Sequence, residues 1–192
     1  MVKRSLKKLK PRFKDTHKGD YGHVFVIAGS VGLTGAAYLT SMGALLSGSG
    51  LVTLGLPKSV NPIMEEKLTE VMTKPLPETA RQTLSLKALP EIIKFAKKID
   101  AIAIGPGLSR EKSTQQLIRK VVTSLNKTFV LDADGLNAFE GRAGLLKKVK
   151  EEFVITPHPG EMSRLIGMAV PSIQKERIKV ARKASRLYNC IT

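Results

Sequence analysis

Residues 24–57 include no charged side chain, and an uncharged stretch of this length folds either across a membrane or inside a protein. Glycine, serine and threonine recur within it, which makes it too polar and too broken for one spanning helix. Two apolar β-type runs at residues 24–28 and 51–56 flank a small-residue helix from residue 36 to about residue 47. We therefore expect a β-α-β unit buried on both sides and no membrane partner.

The same alternation of strands and helices continues along the chain. Compact apolar runs predict further strands at residues 100–104, 129–131 and 153–155, with an extra one at 68–72. Apolar residues at helical spacing predict helices at residues 84–99 and 113–124, the second opened by Ser113 as its N-cap. This order predicts an α/β domain of three layers with a mainly parallel central sheet.

Four of these strands end abruptly in segments rich in glycine or polar side chains. The segments are the glycine-rich turn 29–35, GPGLS at 105–109, DADGLN at 132–137 and TPHPGE at 156–161. Parallel neighbours bring such ends to one edge of the sheet, where open α/β sheets place their ligands. The glycine spacing G-x-x-G-x-x-G matches neither the dinucleotide fingerprint nor the phosphate loop, so a plain strand-to-helix turn stays an alternative there.

The polar residues of these segments have different expected roles. Asp134 is placed to cap the following helix, whereas Asp132 and Asn137 are better candidates for contacts with a ligand or with metal-bound water. His158 lies between two prolines that hold it in an extended conformation, which favours a substrate or nucleotide contact over a purely structural hydrogen bond. Glu161 is expected to face the N-terminal dipole of the next helix. Neither a nucleophilic triad nor a zinc-binding spacing is present.

The net charge of +16 suits a nucleic-acid binder, a membrane-surface protein or an enzyme for phosphorylated substrates. Because the cations lie mostly on expected helix faces and aromatic residues are 5% of the chain, we expect solvated surfaces and no nucleic-acid partner. The single cysteine, Cys190, forms no intrachain disulfide, and the N-terminus lacks the apolar core of a signal peptide. A cytoplasmic protein is expected, with a basic leader at residues 1–16, helical before Pro11, and one domain at residues 17–192.

Four blocks, taken together, resemble the nucleotide-dependent NAD(P)H-hydrate dehydratases of the ribokinase-like superfamily. They are HKGDYGHVFVIAGSVGLTGAA at 17–37, AIAIGPGLS at 101–109, VLDADGLNAF at 130–139 and VITPHPGEMSRLIG at 154–167. The resemblance covers nearly all of the chain and implies a ribokinase-like α/β/α domain. It also implies repair of (S)-NAD(P)H hydrate: ATP or ADP, with Mg²⁺, phosphorylates the hydroxyl of the hydrated cofactor, and phosphate is then eliminated.

By this resemblance Ala36, Gly107 and His158 would contact the hydrated nicotinamide nucleotide, and Asp132 and Asn137 would help to shape the site. An epimerase domain or partner is also implied, and the resemblance leaves a homo-oligomer open. Within the enzymes, a small-molecule kinase of the same superfamily is the alternative. From another class, the alternative is a binding or assembly module without catalysis.

Two departures from the family pattern concern function. Ser109 stands where the family often has a glycine, and this is expected to be a small change. The 192 residues also contain neither the lysine-glycine strand motif nor the GTGD motif, which in the family supplies the catalytic aspartate. We therefore expect a domain whose C-terminal portion is missing, with no activity when isolated, no assignable catalytic or nucleotide-binding residue, and an unfinished sheet edge near Thr192 that is prone to pairing.

Overall fold

The computed structural model describes residues 12–192, within which strands and helices alternate along the chain. The strands are β1 (His23–Ile27), β2 (Leu51–Pro57), β3 (Met72–Leu76), β4 (Ala101–Ile104), β5 (Thr128–Leu131) and β6 (Phe153–Ile155). The α-helices are α1 (Thr34–Leu46), α2 (Asn61–Lys67), α3 (Leu89–Ala96), α4 (Lys112–Ser124), α5 (Asp134–Asn137), α6 (Pro159–Ile166), α7 (Val170–Lys175) and α8 (Arg177–Tyr188). Short 3-10 helices lie at Lys18–Tyr21, Lys58–Val60, Leu86–Ala88 and Ala143–Lys148.

The six strands form one sheet in the order β3-β2-β1-β4-β5-β6. Every pairing between neighbouring strands is parallel, and the predicted parallel α/β sheet is thereby confirmed. The order reverses direction between β1 and β4, because the chain first adds strands on one side of β1 and then on the other. Ligands of open α/β sheets bind at such a reversal, outside the carboxyl ends of the strands.

Side chains of β1 point alternately to the two faces of the sheet and so enter two different cores. Phe25 and Ile27 belong to the larger core, which includes residues of α3, α4 and α6 to α8. Val26 and Ala28 belong to a smaller core with residues of α1 and α2. Helices therefore cover both faces, as expected for three layers. Near β5 and α1 apolar side chains are partly uncovered, with Val130 38%, Leu39 70% and Leu46 79% exposed.

The predicted extra strand at residues 68–72 is wrong in position. Leu68 and Val71 are buried in the smaller core instead, and β3 begins at Met72. Proline is tolerated at Pro75 because β3 is an edge strand, where a missing backbone N–H leaves no central ladder bond unmade. The predicted helix at residues 84–99 is also too long, since Pro90 lies in the first turn of α3 and the chain before it is 3-10 helix.

The N-cap assigned to Ser113 is wrong as well. The carboxylate of Glu111 accepts from the backbone N–H of Ser113 at 2.7 Å and from that of Thr114 at 3.1 Å, so Glu111 is the cap of α4. The hydroxyl of Ser113 instead accepts from the backbone N–H of Leu86 at 2.9 Å and ties α4 to the segment before α3.

Two expectations concerned the ends of the chain, namely a helix before Pro11 and a sheet edge near Thr192. The predicted helix before Pro11 lies outside the described residues. Near Thr192, Ile191 pairs in parallel with Val154, and its backbone N–H donates to Phe153 O at 2.9 Å, so the last residues lie along β6. Within residues 12–192 no helix is both long enough and apolar enough to cross a membrane.

Candidate functional site

The ends of four neighbouring strands meet at one edge of the sheet. Because β1, β4, β5 and β6 are consecutive neighbours, the glycine-rich turn, GPGLS, DADGLN and TPHPGE lie side by side. Hydrogen bonds join the first two segments: Gly29 N donates to Pro106 O at 2.9 Å, and the buried Ser30 hydroxyl donates to Gly107 O at 2.8 Å. The common edge inferred from the parallel runs is thus present.

Ala36 and Gly107 face each other at the reversal of strand order. A Cβ added to Gly107 would lie 3.1 Å from the Cβ of Ala36 and 2.9 Å from the carbonyl oxygen of Leu33. Gly107 also has a φ of +68°, a conformation that glycine adopts without strain. These two predicted residues are therefore in contact and form a close-packed wall between β1 and β4.

A second close approach joins the segments after β4 and β5, and the sequence reasoning missed it. A Cβ on Gly105 would lie 1.8 Å from the carbonyl oxygen of Asp132 and 2.7 Å from Gly135 N. Only glycine fits at that position. Asp132 and the residues after it are thereby pressed against the end of β4, and Ala133 between the two aspartates has a positive φ of +50°. This strained backbone lies at the carboxyl edge of the sheet, and such conformations concentrate at functional sites.

Asp134 does not cap α5, contrary to the sequence prediction. Its Oδ2 accepts from Ser109 N at 2.8 Å, and its Oδ1 accepts from Asn137 Nδ2 at 3.0 Å. The predicted capping role is wrong because the carboxylate reaches across to the segment after β4. That backbone N–H comes from a residue with a φ of +78°. Ser109, which stands where the family often has a glycine, therefore has a backbone conformation that favours glycine.

Asn137 is held at both ends of its amide. Its Nδ2 donates to Asp134, and its Oδ1 accepts from Arg164 Nε at 2.9 Å. Arg164 lies on α6 and was not among the predicted site residues. It stands inside the TPHPGEMSRLIG block, but its contact is with Asn137, 27 positions away, so no local sequence pattern predicts it. These bonds fix the orientation of the amide and leave it one free N–H and one free lone pair.

Asp132 differs from its neighbour because its carboxylate is free. The residue is half-buried, and no hydrogen bond or ion pair from the described part of the chain reaches its side chain. Its backbone is ordered, with its N–H donating to Ile104 O at 3.0 Å and its carbonyl accepting from Gly135 N at 2.8 Å. A fixed backbone with an unengaged carboxylate is suited to contact a ligand.

His158 has two functions available to it. Its Nδ1 accepts from Gly160 N at 2.9 Å and from Glu161 N at 3.3 Å, so the imidazole is the N-cap of α6. Since Nδ1 accepts, the neutral ring carries its proton on Nε2. The side chain is 62% exposed, and its Nε2 lies 3.2 Å from Oε1 of Glu161, so that carboxylate stands beside the Nε2–H. Glu161 lies in the first turn as expected, buried, with Oε2 accepting from His158 N at 2.9 Å.

A magnesium ion would find few ligands in this part of the chain. No three His, Cys, Asp or Glu side chains within residues 12–192 are grouped so that they could hold a metal. Mg²⁺ at phosphate-transfer sites is bound through one or two carboxylates together with phosphate oxygens and water. The free carboxylate of Asp132 fits that mode, whereas Asp134 is occupied by its two hydrogen bonds.

Comparison with known protein families gives one match that spans most of the chain. The model described as NAD(P)H-hydrate dehydratase matches residues 24–192. A bifunctional NAD(P)H-hydrate repair enzyme from Moorella thermoacetica is 42% identical over 175 residues, which are 91% of this chain and 33% of that protein. The enzyme of the same description from Escherichia coli is 33% identical over 181 residues, 94% of this chain and 32% of that protein. The chain thus spans about a third of the length of these curated relatives.

Solved structures share the fold. An ADP/ATP-dependent NAD(P)H-hydrate dehydratase from Bacillus subtilis, co-crystallised with ATP and Mg²⁺, has a TM-score of 0.72 and 29% identity, covering 95% of this chain and 60% of its own. A ribokinase-like protein from Enterococcus faecalis has a TM-score of 0.73 at 20% identity, covering 92% of this chain and 58% of its own. The second likeness concerns the fold alone.

Proposed function

The chain belongs to the NAD(P)H-hydrate dehydratase family, and from this membership we propose that it supplies the substrate-facing part of a site for repairing hydrated NADH or NADPH. ATP or ADP is the proposed phosphoryl donor, as the printed name of the Bacillus subtilis relative states for that enzyme. The observation that carries the proposal is the meeting of Ala36, Gly107, Asp132 and His158 along one carboxyl edge of the sheet.

The proposed reaction has two steps. The hydroxyl of the hydrated ring gives up its proton to a base or to water while its oxygen attacks the terminal phosphorus of ATP or ADP. A phosphate ester forms, and ADP or AMP leaves. The lone pair of the ring nitrogen then expels phosphate from the adjacent carbon, and loss of a proton from the next carbon restores the double bond of the dihydronicotinamide. Hydroxide leaves poorly and phosphate leaves well, so the protein has mainly to position the groups and neutralise charge.

The residues of this chain have distinct parts in that positioning. Ala36 and Gly107 form the close-packed wall against which the hydrated ring can lie, because neither has a side chain beyond Cβ. The Nε2–H of His158 donates a hydrogen bond to a ligand oxygen, which takes the place of its contact with Oε1 of Glu161 at 3.2 Å. The carboxylate of Asp132 faces the ligand, while Asn137, tied to Asp134 and Arg164, holds the segment after β5 in shape.

Magnesium would enter this site with the phosphates of the nucleotide. When bound there, it would neutralise charge on the transferred phosphoryl group. Asp132 is the residue that would hold it or its water ligands, since its carboxylate is not used by the described part of the chain. Its role is separable from that of Asp134, whose oxygens are both engaged within the protein.

We also propose the setting in which the site works. The relatives from Moorella and Escherichia are named bifunctional, and an epimerase, fused or separate, is the proposed second activity. The cytoplasm is the proposed compartment, where NADH and NADPH are abundant. Small-molecule nucleotides are the proposed ligands. Sedimentation velocity would show whether the protein also forms a homo-oligomer.

The test combines binding with turnover. The protein is mixed with hydrated NADH, ATP or ADP, and Mg²⁺, and recovery of NADH absorbance and release of phosphate are followed together. The assay is run on the 192 residues and on any longer natural chain that includes them. Binding with phosphate release and NADH recovery supports the proposal. In the longer chain, a phosphorylated hydrate that accumulates without NADH indicates a kinase, and binding without turnover indicates a binding module. For the 192 residues alone, binding without turnover is the expected result. No binding of the hydrate refutes the assignment.

A further inference from the structure

Arg164 is a half-buried cation without a carboxylate partner among residues 12–192. Its Nε donates to Asn137 Oδ1 at 2.9 Å, and no described acceptor takes the hydrogens of its two Nη atoms. A guanidinium that loses part of its hydration without an opposite charge costs free energy. Arginine presents paired donors that match phosphate oxygens. The unpaired Nη atoms therefore indicate an anionic ligand.

The guanidinium points toward the carboxyl edge of the sheet. Helical side chains lean toward the helix N-terminus, and here a Cβ on Gly160 would lie 3.7 Å from Arg164 Nη1 and 2.8 Å from Cε1 of His158. The guanidinium and the imidazole thus lie within 4 Å of one point. The backbone N–H groups of Gly160 and Glu161 already donate to His158, whose Nε2 lies 3.2 Å from Oε1 of Glu161. The guanidinium is therefore the donor left for a ligand at this end of α6.

The position of the guanidinium is controlled by the neighbouring segments. Asn137 accepts from Arg164 while donating to Asp134, which in turn accepts from the backbone after β4. The negative charge of Asp134 is two hydrogen bonds away and already shared between two donors. It orients the guanidinium through Asn137 and does not pair with it, so the positive charge stays available.

We propose that Arg164, through the Nη atoms that no described acceptor engages, binds a phosphate group of the hydrated dinucleotide. This inference rests on the proposed function, because the ligand is the substrate named there. It adds a substrate-binding residue outside the predicted set and gives the site a phosphate-binding end on α6, at the same edge of the sheet as the ring-binding wall of Ala36 and Gly107. Asn137 becomes the positioning residue for Arg164.

The test compares three ligands that differ in phosphate content. They are hydrated NADH, the hydrated mononucleotide, and hydrated dihydronicotinamide riboside, which has the same ring and ribose and no phosphate. In Arg164→Gln the dissociation constants of the two phosphorylated ligands should rise about 10- to 100-fold, the usual effect of losing a charged hydrogen bond. The dissociation constant of the riboside should stay within about twofold, and the salt dependence of NADH-hydrate binding should weaken.

Two further variants separate charge from folding. Arg164→Lys keeps the charge and loses the fork, so its affinity for the phosphorylated ligands should lie between wild type and Arg164→Gln. Arg182→Gln removes a cation from the exposed surface of α8 and should bind all three ligands as wild type does. Melting temperatures measured on each variant exclude unfolding as the cause of weaker binding.

The remaining outcomes would contradict the phosphate-binding role of Arg164, the proposed function, or both. An equal loss for the riboside and the phosphorylated ligands, in folded Arg164→Gln or Arg164→Lys, would mean that Arg164 acts through Asn137 and not on phosphate. Unchanged affinity for all ligands would remove Arg164 from the site. Failure of the wild-type protein to bind any of the three refutes the proposed function, and this inference falls with it.

Discussion

His158 has two roles that can be separated by substitution, because each of its ring nitrogens serves a different one. Its Nδ1 accepts from two backbone N–H groups and caps α6. Its Nε2 lies 3.2 Å from Oε1 of Glu161, in a side chain that is 62% exposed and within reach of a ligand. Asparagine is among the best N-cap residues, since its side-chain oxygen accepts from the same backbone positions. His158→Asn should therefore keep the cap and lose the outer donor. The amide of glutamine in His158→Gln reaches as far as Nε2 does, so this variant should lose the cap and keep the outer donor.

The expected magnitudes follow from these bonds. Loss of an N-cap costs about 1 kcal/mol of stability, which for a chain of this size lowers Tm by about 2–4 °C. A lost neutral hydrogen bond to ligand costs about 0.5–1.5 kcal/mol, which raises the Kd about 2- to 12-fold. Thus His158→Asn should melt like wild type and bind hydrated NADH more weakly. His158→Gln should melt about 2–4 °C lower with its affinity partly kept, and His158→Ala should lose both.

Differential scanning calorimetry and isothermal titration with hydrated NADH provide both readings on the same samples. Arg182→Gln on the exposed surface of α8 serves as the control, because Glu161 itself contacts the ring, with Oε1 3.2 Å from Nε2. Wild-type affinity in His158→Asn would show that the imidazole only caps α6. A drop in Tm for His158→Asn as large as that of His158→Ala would refute the assignment of the proton to Nε2 and of the cap to Nδ1.

Three further predictions concern small residues and one histidine. Gly107→Ala should cost about 1–3 kcal/mol, measured by urea unfolding, because its Cβ would meet Leu33 O at 2.9 Å. The control Gly43→Ala, exposed in α1 with open space around it, should gain up to about 1 kcal/mol. Ser109→Gly should raise stability by up to about 1 kcal/mol, since φ is +78°, and an unchanged or lower Tm would contradict this. Burial lowers the pKa of His23 below 6.5, opposed by Asp100. The folded state then holds fewer protons, so stability should fall as pH drops through about 6.5, and His23→Gln should flatten that slope.

The arrangement of strand ends was predictable because it depends on local patterns. Short apolar runs followed by glycine or aspartate mark buried parallel strands and their ends, and parallel neighbours leave those ends at one edge. The contact of Ala36 with Gly107 follows from two such ends being adjacent. The family resemblance added the names of residues and a substrate, and its order of four blocks agrees with the order of the strand ends along the sheet.

The hydrogen-bond partners were not predictable because they join distant positions. Asp134 was expected to act on its own helix, as aspartates before helices usually do, but it pairs with a backbone N–H 25 positions away. Ser113 likewise accepts from a residue 27 positions away, and the nearer carboxylate of Glu111 takes the cap. Local propensity identifies which side chains seek a partner. The packing of neighbouring segments decides which partner each one finds.

The site divides into parts that hold its shape and groups that are free to meet a ligand. Gly105, Gly107 and Asn137 hold the shape, since each is closely packed or bonded at both ends. The free groups among the described residues include the carboxylate of Asp132 and the Nη atoms of Arg164. The exposed Nε2–H of His158, beside Oε1 of Glu161, is also within reach of a ligand. Substitutions of the first kind should lower stability and affinity together, because the wall moves as it loosens. Substitutions that remove only a group of the second kind, such as His158→Asn, should change affinity alone. Phosphoryl transfer depends on positioning and charge and so requires both kinds to be intact.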